Sequence, residues 1–161
     1  MKLLLPLFLA FTILIGCNNS DCGFEPNLNV DQFKLQSDID SIIVYLDKNN
    51  IEAQVHPSGL RYVINEEGSG KRPGNCDVVR ISFEGRLLST GAIVEETDFE
   101  IRFIMSSLIK GLQIGLPLIK NGGSITLYIP SGYGYERADS ESLSPVGSNL
   151  IFDVQLTDVE K

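Results

Sequence analysis

Tyr133 and Tyr135, in the stretch Ile-Pro-Ser-Gly-Tyr-Gly-Tyr-Glu at 129–136, are the side chains whose setting suggests a chemical task. Each follows a glycine, just past a short apolar run. A ring placed in this way can lean over a neighbouring surface while its hydroxyl donates a hydrogen bond. Ordinary aromatic anchoring of a surface loop is the competing reading of the same residues. Little else in the chain can do more than donate. His56 is the single histidine and precedes Pro57 in a loop-like stretch, which marks it as a solvated loop residue rather than a base or a ligand. No group of His, Cys, Asp and Glu has metal-ligand spacing. No glycine-rich loop has the phosphate-binding pattern, and no Ser, His and Asp are set out for nucleophilic attack. The expected chemistry therefore uses no cofactor and no metal, and rests on hydrogen-bond donors beside apolar surface.

The 161 residues carry 13 basic and 21 acidic side chains, a formal net charge of −8. That balance argues against nucleic acid as a partner and against a polybasic membrane patch. The N-terminus offers another route to a membrane. Lys2 is followed by an apolar run at residues 3–15, too short for a bilayer-spanning helix and suited to the core of a signal peptide over residues 1–16. The run ends Leu14-Ile15-Gly16-Cys17, which looks like a bacterial lipobox, the motif whose cysteine becomes the lipidated first residue of the mature chain. Acyl chains on Cys17 would supply stable anchoring. Cleavage there removes Lys2, the only charged residue of the segment, and takes the net charge from −8 to −9. Residues 17–30 then read as a lipidated tether, and the protein as lipid-anchored in a bacterial cell envelope, facing the periplasm. In that oxidising compartment Cys22 and Cys76 either pair, stapling the tether to the domain, or remain two unpaired small residues.

The candidate donors need a scaffold. Leu35, Ile39, Ile42, Ile43 and Leu46 recur at helical spacing with polar residues on the other face, and Asp31 is placed to cap them. The unit 31–50 reads as one amphipathic helix over about 31–48, stopped at Asn49-Asn50. Its apolar face packs on the domain or, alternatively, meets a partner. From residue 58 the period becomes two. Leu60, Tyr62 and Ile64 share a face, Val79, Ile81 and Phe83 alternate with Arg80, Ser82 and Glu84, and the run 99–105 follows a loop as a further strand. Ile125, Leu127 and Ile129 mark another strand, and Leu150, Phe152, Val154 and Leu156 a last one. Between them, a short helix starts near Ser106 or Ser107, carries Leu108, Leu112 and Gly115 along one side, and is limited by Pro117. A serine-rich loop spans 136–148. Antiparallel strands around one short helix make the class α+β.

The order of these pieces carries a resemblance. The stretches at 58–91, 108–136 and 147–156, which include Gly-Lys-Arg-Pro-Gly-Asn-Cys-Asp, Leu-Ile-Lys-Gly-Leu-Gln-Ile-Gly-Leu and Gly-Tyr-Gly-Tyr, together resemble the FKBP-type peptidyl-prolyl cis-trans isomerases. Residues 58–161 would be that domain, and the preceding helix and tether look like those of its lipoprotein members. The resemblance implies a twisted antiparallel sheet wrapped around the short helix, with an apolar pocket between them that takes proline-containing polypeptides. It implies that Tyr135 reaches over the pocket to donate to the bound peptide, the glycines letting the loop turn. The Ile109 N–H would be the second donor, and Phe83, Val94, Ile101, Leu108, Leu112 and Phe152 would line the pocket.

This sequence departs from the family pattern at several of these positions. The usual Phe-Asp pair is Val94-Glu95, so Glu95 would stand in for the aspartate. The usual tryptophan is Leu112, a usual tyrosine is Phe83, and the Ile-Pro-Pro of the flap is Ser144-Pro145-Val146. A less aromatic pocket excludes water less well, so catalysis is expected to suffer more than binding. Two functions follow. One is a prolyl isomerase assisting the folding of exported proteins. The other is a peptide-binding module of an envelope complex, in which turnover is incidental. For the anchor, Cys17→Ala is expected to abolish incorporation of labelled palmitate. Undiminished labelling of that variant would refute the lipobox reading.

Overall fold

The computed structural model describes residues 24–135 and 146–160. Cys17, Cys22, Ser144 and Pro145 lie outside them, with most of the serine-rich loop.

Helix α1 (Gln32–Lys48) starts where the sequence places it. The Asp31 carboxylate accepts from the N–H groups of Phe33 and Lys34 at 2.9 and 3.0 Å, satisfying two donors that the first turn leaves without helical partners. Ile42 and Leu46 are buried. One departure stands out on this helix: Asp38, expected on the polar face, is buried among them at 3% exposure.

The strands are β1 (Gln54–Val55), β2 (Arg61–Glu66), β3 (Val78–Leu87), β4 (Ile93–Glu96), β5 (Ile101–Ile104), β6 (Ser124–Ile129) and β7 (Leu150–Glu160). Among the described residues they form one antiparallel sheet in the order β1-β2-β6-β7-β3-β4, with β5 also paired to β3. The sequence reading missed β1 and placed β4 in a loop, because Gln54–Val55 is too short for a period and Ile93–Glu96 has a single buried residue, Val94. Strand β3 is the hub. Its first half pairs with β5, its second with β4, and its whole length with β7, with a register shift between Arg80 and Ile81. Such a shift bends and twists the sheet.

The period-two pattern sorts side chains to two layers. Ile125, Leu127 and Ile129 of β6, with Leu150, Phe152, Val154 and Leu156 of β7, face the main core, which includes helix α2 (Lys110–Gly115). Tyr128 and Ile151 point the other way and pack with Ile42, Leu46 and Leu88. Helix α1 therefore covers the back of the sheet at the β6–β7 end, which fills the packing role offered for it. The preceding residues also lie along the domain: Asn75 Nδ2 donates to Phe24 O at 3.1 Å, and half-buried Val30 packs on the main core. Cys76 is disulfide-bonded.

Two close approaches fix α2 on the sheet. A Cβ on Gly111 would lie 2.5 Å from Ile129 Cγ2, and one on Gly115 would lie 2.4 Å from Leu127 Cδ1. A third positions an aromatic ring, since a Cβ on Gly85 of β3 would lie 2.6 Å from Phe152 Cζ. Gly85→Ala is therefore expected to displace the Phe152 ring and to lower stability by roughly 1–3 kcal/mol, the usual cost of overpacking, in chemical denaturation of the full chain. An unchanged denaturation midpoint would mean that the ring has room to move.

Candidate functional site

Strands β3, β4 and β7 and helix α2 gather the expected apolar residues into one place. Phe83, Val94, Leu108, Leu112 and Phe152 are all buried in the main core cluster, and Ile109 and Tyr135 are half-buried against it. The rings of Phe83 and Phe152 lie 5.6 Å apart, tilted by 36°, a favourable aromatic arrangement. Ile101 is the exception. It is half-buried on β5 opposite Ile81 and is not among the residues packed on this cluster. Phe103, on the same strand face two residues later, is packed there instead, its ring 6.2 Å from Phe83. Alternation along β5 puts both residues on one face and does not choose between them; the position of Phe83 on β3 does.

Tyr135 lies against the cluster, and its hydroxyl donates to Glu95 Oε2. Glu95 is exposed on the edge strand β4, beside buried Val94 and paired in register with Gly85. The two residues thus meet over the apolar cluster: one from the loop after β6, the other from the opposite edge of the sheet. A phenol has a single proton to donate. A peptide carbonyl that receives it must take the place of the Glu95 carboxylate.

The second expected donor is the N–H of Ile109. This residue stands at the N-terminal end of α2 in an extended conformation (φ −59°, ψ 150°), and no side chain caps the helix; neither Ser106 nor Ser107 does so. Ser107 Oγ donates instead to Ile104 O at 2.7 Å. Gln113, which the sequence reading passed over, does more. Its buried Nε2 donates to Leu108 O at 2.6 Å. A trans peptide unit is planar, so its C=O and N–H point in opposite directions. Holding Leu108 O therefore fixes the direction of the Ile109 N–H. No pattern in the chain marked Gln113, because its partner is a backbone oxygen that only the turn before α2 brings within reach.

The tyrosine loop is held from several sides. Residues Ser131–Tyr133 make one 3₁₀ turn, in which Tyr133 N donates to Pro130 O at 2.9 Å and Gly134 N to Ser131 O at 3.1 Å. Tyr133 is buried and its hydroxyl donates to Ser58 O at 3.0 Å. Burial raises its phenol pKa, so it stays a protonated anchor at neutral pH. The two tyrosines therefore differ: Tyr133 is buried and tied to Ser58, and Tyr135 lies half-buried against the cluster with its hydroxyl on Glu95. The flanking glycines are not there for left-handed turns, since neither has positive φ. A Cβ on Gly132 would lie 3.2 Å from Val30 Cβ, a tight contact that Val30 would have to relieve by a few tenths of an ångström. His56 is half-buried in a loop, its Nδ1 lying 2.9 Å from Ser58 Oγ, and desolvation lowers its pKa, which keeps it neutral.

Comparison with known proteins follows this geometry. The family model described as FKBP-type peptidyl-prolyl cis-trans isomerase matches residues 70–157. The chain is 36% identical over 106 residues to a probable isomerase of this type, FkpA, from Neisseria meningitidis serogroup B, covering 63% of this chain and 38% of that protein. It is 32% identical over 111 residues to FkpA of Escherichia coli K12, again covering 38% of the relative. The chain thus spans under half the length of these curated relatives. The crystal structure of E. coli FkpA superposes with a TM-score of 0.65 at 30% identity, covering 80% of this chain and 64% of that one. The matched stretch runs from before β3 to within β7 and contains every apolar and donor residue of the site, and on it the chain belongs to the FKBP-type peptidyl-prolyl cis-trans isomerase family.

Proposed function

We propose that this chain isomerises Xaa-Pro peptide bonds in exported polypeptides while anchored to a bacterial membrane through Cys17. The observation that carries the reading is the Tyr135 hydroxyl set over the apolar cluster of Phe83, Val94, Leu112 and Phe152. The proline ring would lie against those apolar residues, with Tyr135 and the Ile109 N–H as donors to the peptide. Ile101 would lie further along β5. Glu95 stands where the family has an aspartate and accepts the Tyr135 hydrogen bond until a substrate carbonyl replaces it.

No base or nucleophile is required. The prolyl amide is planar by resonance, with a rotation barrier of ~18–20 kcal/mol. Resonance places partial charge on oxygen and nitrogen, and twisting the bond removes that separation. A dry apolar wall penalises the planar form more than the twisted one. A barrier lowered by ~4 kcal/mol corresponds to roughly a thousandfold acceleration. Tyr135→Phe in the full chain is expected to cost about one hydrogen bond, 0.5–1.5 kcal/mol, in peptide binding or turnover, with little change in melting temperature. A large fall in melting temperature with unchanged peptide affinity would instead make Tyr135 a structural anchor.

A second reading has its own observation. Val94 replaces a ring, and the wall it forms is correspondingly shorter. A site reshaped to hold one partner, with incidental turnover, would have the same feature. Val94→Phe separates the two. For an isomerase short of one wall, the variant is expected to raise kcat/KM on a Xaa-Pro peptide, a tenfold rise needing only ~1.4 kcal/mol. Because Val94 is buried, melting temperature is measured beside the kinetics to detect overpacking. A well-folded variant with no gain in isomerisation would favour the binding module.

A further inference from the structure

Asp38 breaks the pattern of its own helix. Leu35, Ile42 and Leu46 put apolar groups on the face of α1 that meets the sheet, and Asp38 lies on that face with only 3% of its surface exposed. A buried carboxylate is costly unless each oxygen is bonded. Here three donors converge on it. Lys34 Nζ reaches Oδ1 from one turn away. Ser131 donates twice to Oδ2, from its hydroxyl at 2.5 Å and from its backbone N–H at 3.1 Å. Local rules that fail in a native chain tend to fail where the structure has a task for the residue.

What Asp38 holds is the base of the tyrosine loop. Ser131 opens the 3₁₀ turn that ends two residues before Tyr135, and its N–H has no partner within that turn. Asn149 shares the task. Its Oδ1 accepts from the same Ser131 N–H at 2.9 Å, and its Nδ2 donates back to Asp38 O at 3.4 Å. Asn149 stands immediately before β7, so the cluster ties together both ends of the segment between β6 and β7. Val30, just before α1, supports the turn from the side at Gly132.

We propose that Asp38 is a positioning residue for Tyr135, which makes helix α1, outside the stretch matched to the family, a working part of the isomerase site. The inference rests on the isomerase reading given above. The helix fixes where the loop leaves β6, and thereby where the Tyr135 hydroxyl stands over the apolar cluster. A carboxylate suits this task better than an amide, because charge-assisted bonds to both Ser131 donors are shorter and stronger.

The test is a double-mutant cycle on the full chain, with isomerisation of a Xaa-Pro peptide and melting temperature both measured. Asp38→Asn is expected to lower kcat/KM by about fivefold to tenfold in the wild-type background and by less than about twofold in a Tyr135→Phe background, because a residue acting through the hydroxyl has nothing to act through once it is gone. Ser131→Ala removes the hydroxyl contact from the other side. It is expected to show the same dependence on Tyr135 with a smaller loss, and it serves as the second variant if Asp38→Asn is too unstable to assay. A structural role alone would lower melting temperature equally in both backgrounds and leave the kinetics of the folded fraction unchanged, which would overturn the proposal. So would equal kinetic losses in both backgrounds. Failure of the underlying reading looks different: the unmutated chain would show no turnover, or Tyr135→Phe alone would show full turnover, and either result overturns this inference with it.

Discussion

The distance between helix α2 and strand β6 sets the geometry of everything around the site. Gly111 and Gly115, one turn apart, face Ile129 and Leu127, two residues apart on the strand, and each glycine leaves room for a branched side chain that a Cβ would exclude. With the helix this close, Leu112 enters the core between the sheet and the helix, and the Leu108–Ile109 peptide comes to the helix end. One more methyl group at either glycine would lift the helix and move the Ile109 N–H away from the apolar cluster. Dense packing makes such shifts expensive, since interiors have few voids to absorb them.

The opposite side of the site depends on polar rather than apolar contacts. The described start of the loop after β6 buries Tyr133 in the core and is also fixed through hydrogen bonds. Tyr133 is tied to Ser58, and Ser131 to Asp38 and Asn149. Each of these bonds is buried or half-buried, where an unmade partner costs more than the bond itself contributes. The result is a rigid stem that carries one hydroxyl, on Tyr135, to the edge of an apolar surface.

This division suits a site without reactive groups. Lowering the barrier to prolyl amide rotation, the reading proposed above, relies on a dry wall and on fixed donors, and both are products of packing. Phe83, the short wall at Val94, Leu112 and the carboxylate of Glu95 at the rim differ from the residues implied by the family resemblance, while Phe152 keeps its ring against Phe83. They alter the outline of the site and leave its hydrogen-bond donors, Tyr135 and the Ile109 N–H, in place.

Much of this was legible in the chain. Strand alternation placed Phe83, Phe152 and the β6 residues in the core, because a period of two translates directly into faces. The cap at Asp31 marked the start of α1, because capping depends on neighbours in sequence. The sequence by itself thus determined the longer elements, most of their buried faces and the family, but not the short strands β1 and β4 or the burial of Asp38. The tertiary structure alone decided which residues meet across elements: that Phe103 rather than Ile101 packs beside Phe83, that Glu95 accepts the hydrogen bond of the Tyr135 hydroxyl, that Gln113 holds the Leu108 carbonyl, and that Asp38 reaches Ser131, 93 residues away in the chain. Periodicity records which way a side chain points relative to its own backbone. It contains no information about which distant backbone will be there to meet it, and for polar groups that partner decides whether burial stabilises or costs.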